Sequence, residues 1–204
     1  MKTGIMGGTF NPIHNGHLML AKHVKEEFSL DEIWFMPNGN PPHKLQEEIK
    51  TDTEDRLNMV NLAIQEESSF VLQTYEAKKE TVSYSYQTME TFSRLYPERK
   101  FYFIIGADSL FQVETWGHPE RFLTACTIIA AKRETNETDE RMSEQIRYLN
   151  KKYNADIRFS HSPVFPVSSS EIRKLLQEGK TIRNLVPDSV LGYIRRNQLY
   201  KEAL

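Results

Sequence analysis

Gly7-Gly8-Thr9-Phe10-Asn11-Pro12-Ile13-His14-Asn15-Gly16-His17 follows directly on Lys2-Thr3-Gly4-Ile5-Met6 and runs into a helical pattern with Leu20, Ala21, Val24 and Phe28 on one side. The order read from it is strand, glycine turn, helix. A parallel strand that feeds a helix presents unpaired backbone N–H groups at the helix start, and these groups together with the helix dipole attract anions. Glycines at 7 and 8 allow the main chain to approach a phosphate closely. His14 and His17 lie three residues apart at the first helical turn, so both imidazoles can point toward one region. Blander readings stand beside this one. A Gly-Gly pair is also an ordinary turn, and two histidines at this spacing can sit on a helix surface or ligate a metal. For a structural zinc, however, the chain offers no neighbouring cysteine or carboxylate–histidine cluster.

At 204 residues the chain is long enough for a sizeable core, and residues 1–204 read as a single domain. A net charge of -2 argues against a general attraction to nucleic acid, while leaving room for a local basic pocket. The single cysteine, Cys126, excludes an internal disulfide framework and reads as a buried strand residue. No apolar run approaches bilayer length and the first residues read as a strand instead of a signal peptide, so the expected setting is cytoplasmic, with no membrane partner.

Strand and helix patterns alternate along the chain, which places it in the α/β class. Ile33-Trp34-Phe35-Met36-Pro37 is a second strand, and the loop from Asn38 to Lys44 leaves it on the same rim as the glycine turn. His43 and Lys44 could face a ligand there, or Pro41-Pro42 could stiffen a solvated turn. Thr51 and Glu54 have capping-box spacing ahead of a helix with Leu57, Val60 and Ile64 on one face. Phe70 to Gln73 is a third strand. Ser83-Tyr84-Ser85 opens a helix carrying Met89, Phe92 and Leu95. Phe101-Tyr102-Phe103-Ile104-Ile105 is the strongest strand and ends in Gly106-Ala107-Asp108-Ser109. Asp108 could accept hydrogen bonds from a ligand or cap the next helix, and Trp116 could stack on a flat ring or fill the core. Further strands are read around Ile128 and at Ile157 to Phe159, separated by a charged solvated loop from Lys132 to Glu140 and a helix from Arg141 to Lys152.

Val167-Ser168-Ser169-Ser170-Glu171-Ile172-Arg173 is a second anchor, preceding a helix with Ile172, Leu175 and Leu176 inward. Serine hydroxyls and free N–H groups at a helix start suit phosphate oxygens, and Arg173 could add a forked cationic contact. A serine-rich cap is the alternative. Leu185-Val186-Pro187 then starts a last helix with Val190, Leu191 and Ile194 on its inner side.

The first string resembles the His-x-Gly-His signature of the nucleotidyltransferase superfamily, and its full length is similar to the bacterial nicotinate-nucleotide adenylyltransferase form. Asn11 stands where that family more often carries Asp. The second anchor resembles the Ile-Ser-Ser-Thr-x-Ile-Arg motif of the same family, with Val167 and Ser170 as its departures, and Pro-Pro-His-Lys, Ser-Tyr-Ser and Gly-Ala-Asp fit the nicotinate branch. The resemblance spans nearly the whole chain.

It implies a Rossmann-like, doubly wound parallel sheet with helices on both faces and a small helical C-terminal part. It also implies transfer of the adenylyl group of ATP to nicotinate mononucleotide, with pyrophosphate leaving and no covalent enzyme intermediate. By this resemblance His14, His17 and Arg173 are catalytic. Gly7, Gly8, Thr9, Phe10, Gly106, Ser169 and Ser170 join them on ATP, and Lys44, Ser83, Tyr84, Asp108 and Trp116 bind nicotinate mononucleotide. Mg²⁺ is expected to arrive with ATP and not in a dedicated protein site. The number of subunits is left open, a homo-oligomer included. The rival enzyme is a sister transferase acting on phosphopantetheine or making a CDP-alcohol, and the rival from another class is a nucleotide sensor that binds without turnover.

Overall fold

The computed structural model describes residues 1–39, 51–79, 81–132, 138–163 and 165–200. Strands β1 (Lys2–Gly8), β2 (Glu32–Pro37), β3 (Phe70–Leu72), β4 (Lys100–Gly106), β5 (Thr127–Ala131) and β6 (Ile157–Ser160) form one parallel sheet in the order β3-β2-β1-β4-β5-β6. This is the doubly wound order. The chain leaves β1 toward β2 on one side and later returns to place β4 on the other, opening a crevice at the carboxyl ends of β1 and β4. The near-continuous apolar runs of β2, β4 and β5 follow from burial on both faces.

Alternate side chains of each strand serve two separate cores. On one face Met6, Ile33, Phe35, Tyr102, Ile104 and Ile129 pack against α1 (Asn15–Glu27), α2 (Thr53–Ile64), α7 (Ser169–Gln177) and α8 (Asp188–Arg196). On the other, Ile5, Trp34, Phe101, Phe103, Ile105 and Ile128 meet α3 (Ser85–Leu95), α4 (Ala107–Gln112), α5 (Pro119–Ala125) and α6 (Asp139–Tyr153). The helical C-terminal part thus covers the same face as α1 and α2. Ser189 Oγ donates to the Leu62 carbonyl at 3.1 Å, and Tyr193 Oη donates to Asp55 Oδ1 at 2.8 Å.

Several local readings are corrected. The glycine pair is not a turn: Gly7 and Gly8 continue β1 in register with Met36 and Pro37, and the turn begins at Thr9. The cap of α2 is Asp52, whose carboxylate accepts from Glu54 N–H, not Thr51. Leu57 is only half-buried, because Arg56 and Met59 share the inner face with Val60 and Ile64. Leu95, at the last turn of α3, points outward and is 60% exposed. Cys126 caps the end of α5, half-buried, and precedes β5. Asp139 and Glu140 belong to α6. His43, Lys44 and the stretch 133–137 of the charged loop lie outside the described residues.

Candidate active site

The segment Thr9–His14 crosses the rim between β1 and α1, and contacts from three distant parts of the chain hold it. Phe10 adopts a left-handed backbone (φ 47°), which turns its ring inward against Phe35 (centroids 5.9 Å apart) and, edge-on, against His17 (5.0 Å). Arg173 Nη1 donates to the Asn11 carbonyl at 2.7 Å, and Ser169 Oγ donates to the Pro12 carbonyl at 2.9 Å. Tyr200 Oη donates to Asn11 Oδ1 at 2.7 Å. From behind, Arg56 Nη1 donates to the Thr9 carbonyl at 2.9 Å.

His14 caps α1 and His17 sits in its first turn. Their rings stack, with centroids 3.6 Å apart and planes 28° from parallel, and both residues are buried, at 6% and 7% exposure. The burial removes the helix-surface reading. His14 N–H donates to His17 Nδ1 at 3.3 Å, which makes Nδ1 the acceptor and leaves Nε2 to carry the proton of the neutral ring. Gly16 permits the stack, since a Cβ there would lie 3.1 Å from His14 Nδ1. No acidic residue occupies the first turn of α1, so its positive end faces the site without a compensating carboxylate. A small cavity of about 20 Å³ borders both histidines, together with Lys132, Phe165 and Val167.

On the other side of β1 lies a larger cavity of about 180 Å³, bordered by Gly7, Gly8, Gly106, Ser83, Tyr84, Ser109 and Trp116. Trp116 is half-buried and its ring packs on Phe122, with centroids 5.2 Å apart. Two atoms buried at residues lining this cavity, Ser83 Oγ and Asn38 Oδ1, have no hydrogen-bond partner among the described residues. Buried polar groups are rarely left unpaired, so this cavity suits a polar ligand. Glu76 also lines it, buried, and accepts from Thr88 Oγ1 at 2.7 Å. Burial holds the Glu76 carboxyl above its ordinary range, opposed by the Thr88 hydrogen bond and by Lys79.

The structure therefore draws Gly7, Gly8, Gly106, Ser83, Tyr84 and Trp116 to one cavity and His14 and His17 to another, with Ser169 and Arg173 fastened to the loop between β1 and α1. Asp108 stands apart: it is exposed in the first turn of α4, does not border the larger cavity, and is not the cap of that helix, which is Gly106. Ser170 is exposed and accepts from Arg173 Nη2 at 3.3 Å. Arg56, Glu76 and Tyr200 are not singled out as site residues by the sequence, whereas Asn38 opens the loop read onto this rim. For Arg56 a signal existed, since it lies four residues before Val60 and eight before Ile64, on the apolar stripe itself. Among the described residues no group of three or more histidine, cysteine or acidic side chains is placed to hold a metal ion. No helix among them is long and apolar enough to cross a membrane.

A doubly wound sheet with paired histidines at the first helix start is the architecture of a nucleotidyltransferase, and the family comparison agrees. The cytidylyltransferase-like family model matches residues 5–175, and the chain belongs to that family. Within it, a Clostridium kluyveri protein named "probable nicotinate-nucleotide adenylyltransferase" is 40% identical over 98% of this chain and 100% of its own length. A Lachnoclostridium phytofermentans protein of the same name is 39% identical over 98% of each chain. The branch is thus that of the nicotinate-nucleotide adenylyltransferases. The Plasmodium falciparum nicotinic acid mononucleotide adenylyltransferase complexed with NaAD superposes with a TM-score of 0.79 at 24% identity, covering 98% of this chain and 97% of that one, and shares the fold.

Proposed function

We propose that the chain transfers the adenylyl group of ATP to nicotinate mononucleotide, giving nicotinate adenine dinucleotide and pyrophosphate for NAD biosynthesis. The observation that carries this reading is the stacked His14–His17 pair at the uncompensated start of α1, on the same loop that Arg173 grips. The mononucleotide phosphate attacks the α-phosphorus of ATP directly, the bond to the bridging oxygen breaks, and pyrophosphate leaves with its electron pair. No enzyme nucleophile enters, so the protein's work is alignment and stabilisation of charge that builds in the transition state.

In this scheme His14 and His17 donate to phosphate oxygens, and His17 does so through Nε2. Gly7, Gly8, Thr9, Phe10 and Gly106 form the rim beside ATP. Ser169, Ser170 and Arg173 border the leaving phosphates, with Arg173 keeping the Asn11 carbonyl in place as well. Ser83, Tyr84 and Trp116 surround the pyridine mononucleotide in the larger cavity, where Ser83 Oγ gains a ligand partner. Lys44 and Asp108 are further contacts in this proposal, Asp108 reaching the mononucleotide from the exposed start of α4, outside the cavity lining. Mg²⁺ arrives as part of the ATP substrate and screens the approach of two polyanions. We read residues 1–204 as one such domain working in the cytoplasm.

Adenylyl transfer from ATP to nicotinate mononucleotide, nicotinamide mononucleotide and phosphopantetheine, monitored by pyrophosphate release, tests the reading. The nicotinate substrate is expected to turn over fastest. ATP binding without any product in a single turnover would overturn the proposal in favour of a nucleotide sensor.

A further inference from the structure

Arg56 is 1% exposed, on the inner face of α2, and it is the largest fully buried side chain among the described residues. A charge withdrawn from water is normally matched by an opposite charge at close range. Arg56 has no carboxylate within 4 Å among the described residues. Its forked contacts are to neutral oxygens, the Thr9 carbonyl at 2.9 Å and Thr53 Oγ1 at 3.0 Å, and its Nε has no hydrogen-bond partner there. Asp52, whose charge favours the Arg56 cation without an ion-pair contact, caps α2 through Glu54 N–H, and Asp55 accepts from Tyr193 Oη.

A second guanidinium stands on the same loop. Arg173 holds the Asn11 carbonyl, two residues from the Thr9 carbonyl held by Arg56, and it too has no ion-pair partner among the described residues. Both cations act on the Tyr200 hydroxyl, which itself bonds the neutral Asn11 side chain. Two guanidiniums and the positive end of α1 thus converge on one short segment, Thr9–His14, that carries no acidic side chain.

We propose that Arg56 is a positioning residue for the triphosphate: it fixes the Thr9 carbonyl and supplies, from behind the loop, a positive charge that the bound polyphosphate balances. Arg56 does not touch the substrate, being sealed beneath the loop. This inference rests on the proposed reaction for the identity of the polyanion, but the tripolyphosphate titration that tests it does not need turnover.

Inorganic tripolyphosphate is titrated calorimetrically into the wild-type chain, Arg56→Lys and Arg56→Gln, alongside KM values for ATP and for nicotinate mononucleotide. Arg56→Gln is expected to weaken tripolyphosphate by about tenfold, equivalent to about 1.4 kcal/mol. It is also expected to raise the KM for ATP while that for the mononucleotide stays within about twofold, because uniform loss of stability would move both. Arg56→Lys, which keeps the charge, is expected to recover most of the tripolyphosphate affinity. Equal tripolyphosphate affinity in wild type and Arg56→Gln, or equal losses for both nucleotides, would overturn the role. Should Arg56→Gln not fold, Arg56→Met, which fills the same buried space without a charge, is titrated in its place. A fall in tripolyphosphate affinity then supports the inference and an unchanged value overturns it. A wild-type chain that binds tripolyphosphate with this dependence on Arg56, yet forms no dinucleotide, would defeat the proposed reaction and leave the inference standing.

Discussion

Arg173 donates to the main-chain carbonyl of Asn11 across a sequence separation of 162 residues, at 2.7 Å. The two motifs at either end of the polypeptide therefore meet in a single hydrogen bond. Arg173→Lys keeps a point charge but cannot hold both Asn11 O and Ser170 Oγ in one fork. It is expected to lower kcat/KM by about tenfold or more, with a smaller change in thermal midpoint. Steady-state kinetics paired with a melting curve checks this, and an unaltered kcat/KM would show that the fork has no role in turnover.

His17→Ala removes a donor from the proposed transition state while leaving the rest of α1 in place. Turnover is expected to fall by about 10²-fold or more, the scale of losing one preorganised donor. Circular dichroism is expected to be unchanged. A well-folded variant with near-normal turnover would remove His17 from the chemistry.

Trp116→Ala separates stacking from packing. Its ring borders the larger cavity and also contacts Phe122. Titration is expected to show weaker binding of the mononucleotide than of ATP, each relative to wild type. Equal losses would assign Trp116 to the packing against Phe122.

Glu76 gives a pH dependence. Its folded-state pKa is raised above the ordinary value of 4.5, chiefly by burial, so the folded protein favours the neutral carboxyl. The sign follows from proton linkage. This group's contribution to stability is fully present below about pH 4.5 and is lost as the pH rises through the elevated folded value. Glu76→Gln retains an acceptor for Thr88 Oγ1 and removes the titration. Urea unfolding across the acid to neutral range is expected to show the variant gaining on wild type as the pH rises. Parallel curves would sink the assignment.

Tyr200→Phe deletes the hydroxyl that donates to Asn11 Oδ1 at 2.7 Å and leaves that buried acceptor short of a partner. A loss of about 1–3 kcal/mol in unfolding free energy is expected, with a smaller effect on turnover than that of His17→Ala.

Much of this architecture is legible in the residues. The apolar runs at Ile5, Ile33 to Met36 and Phe101 to Ile105 show that they are strands buried on both faces, and the alternation with helical stripes fixes the α/β class. Gly16 and the His14–His17 spacing announce the stacked pair. What the chain did not disclose involves contacts between segments far apart in sequence. Nothing local to Tyr200 shows that it will meet Asn11, and Asn38 and Glu76 join one cavity only after β2 and the segment following β3 are laid side by side. Arginine on a helix is ordinarily read as solvent-facing, whereas the position of Arg56 on the apolar stripe marks it as buried. The end of α3 misled for the opposite reason, since Leu95 fits the stripe but sits beyond the sheet's cover.

The anchoring of the Thr9–His14 segment also sets a schedule. Asn15 N–H donates to the Leu185 carbonyl at 2.9 Å, Asn15 Nδ2 to Asn184, Arg173 to Asn11 and Tyr200 to Asn11. During synthesis, the Thr9–His14 segment is made before Arg173, Leu185 and Tyr200, so its anchors become available only after the sheet strands between them have emerged. The shape of this loop is therefore secured late, once Arg173 and Tyr200 have docked against Asn11.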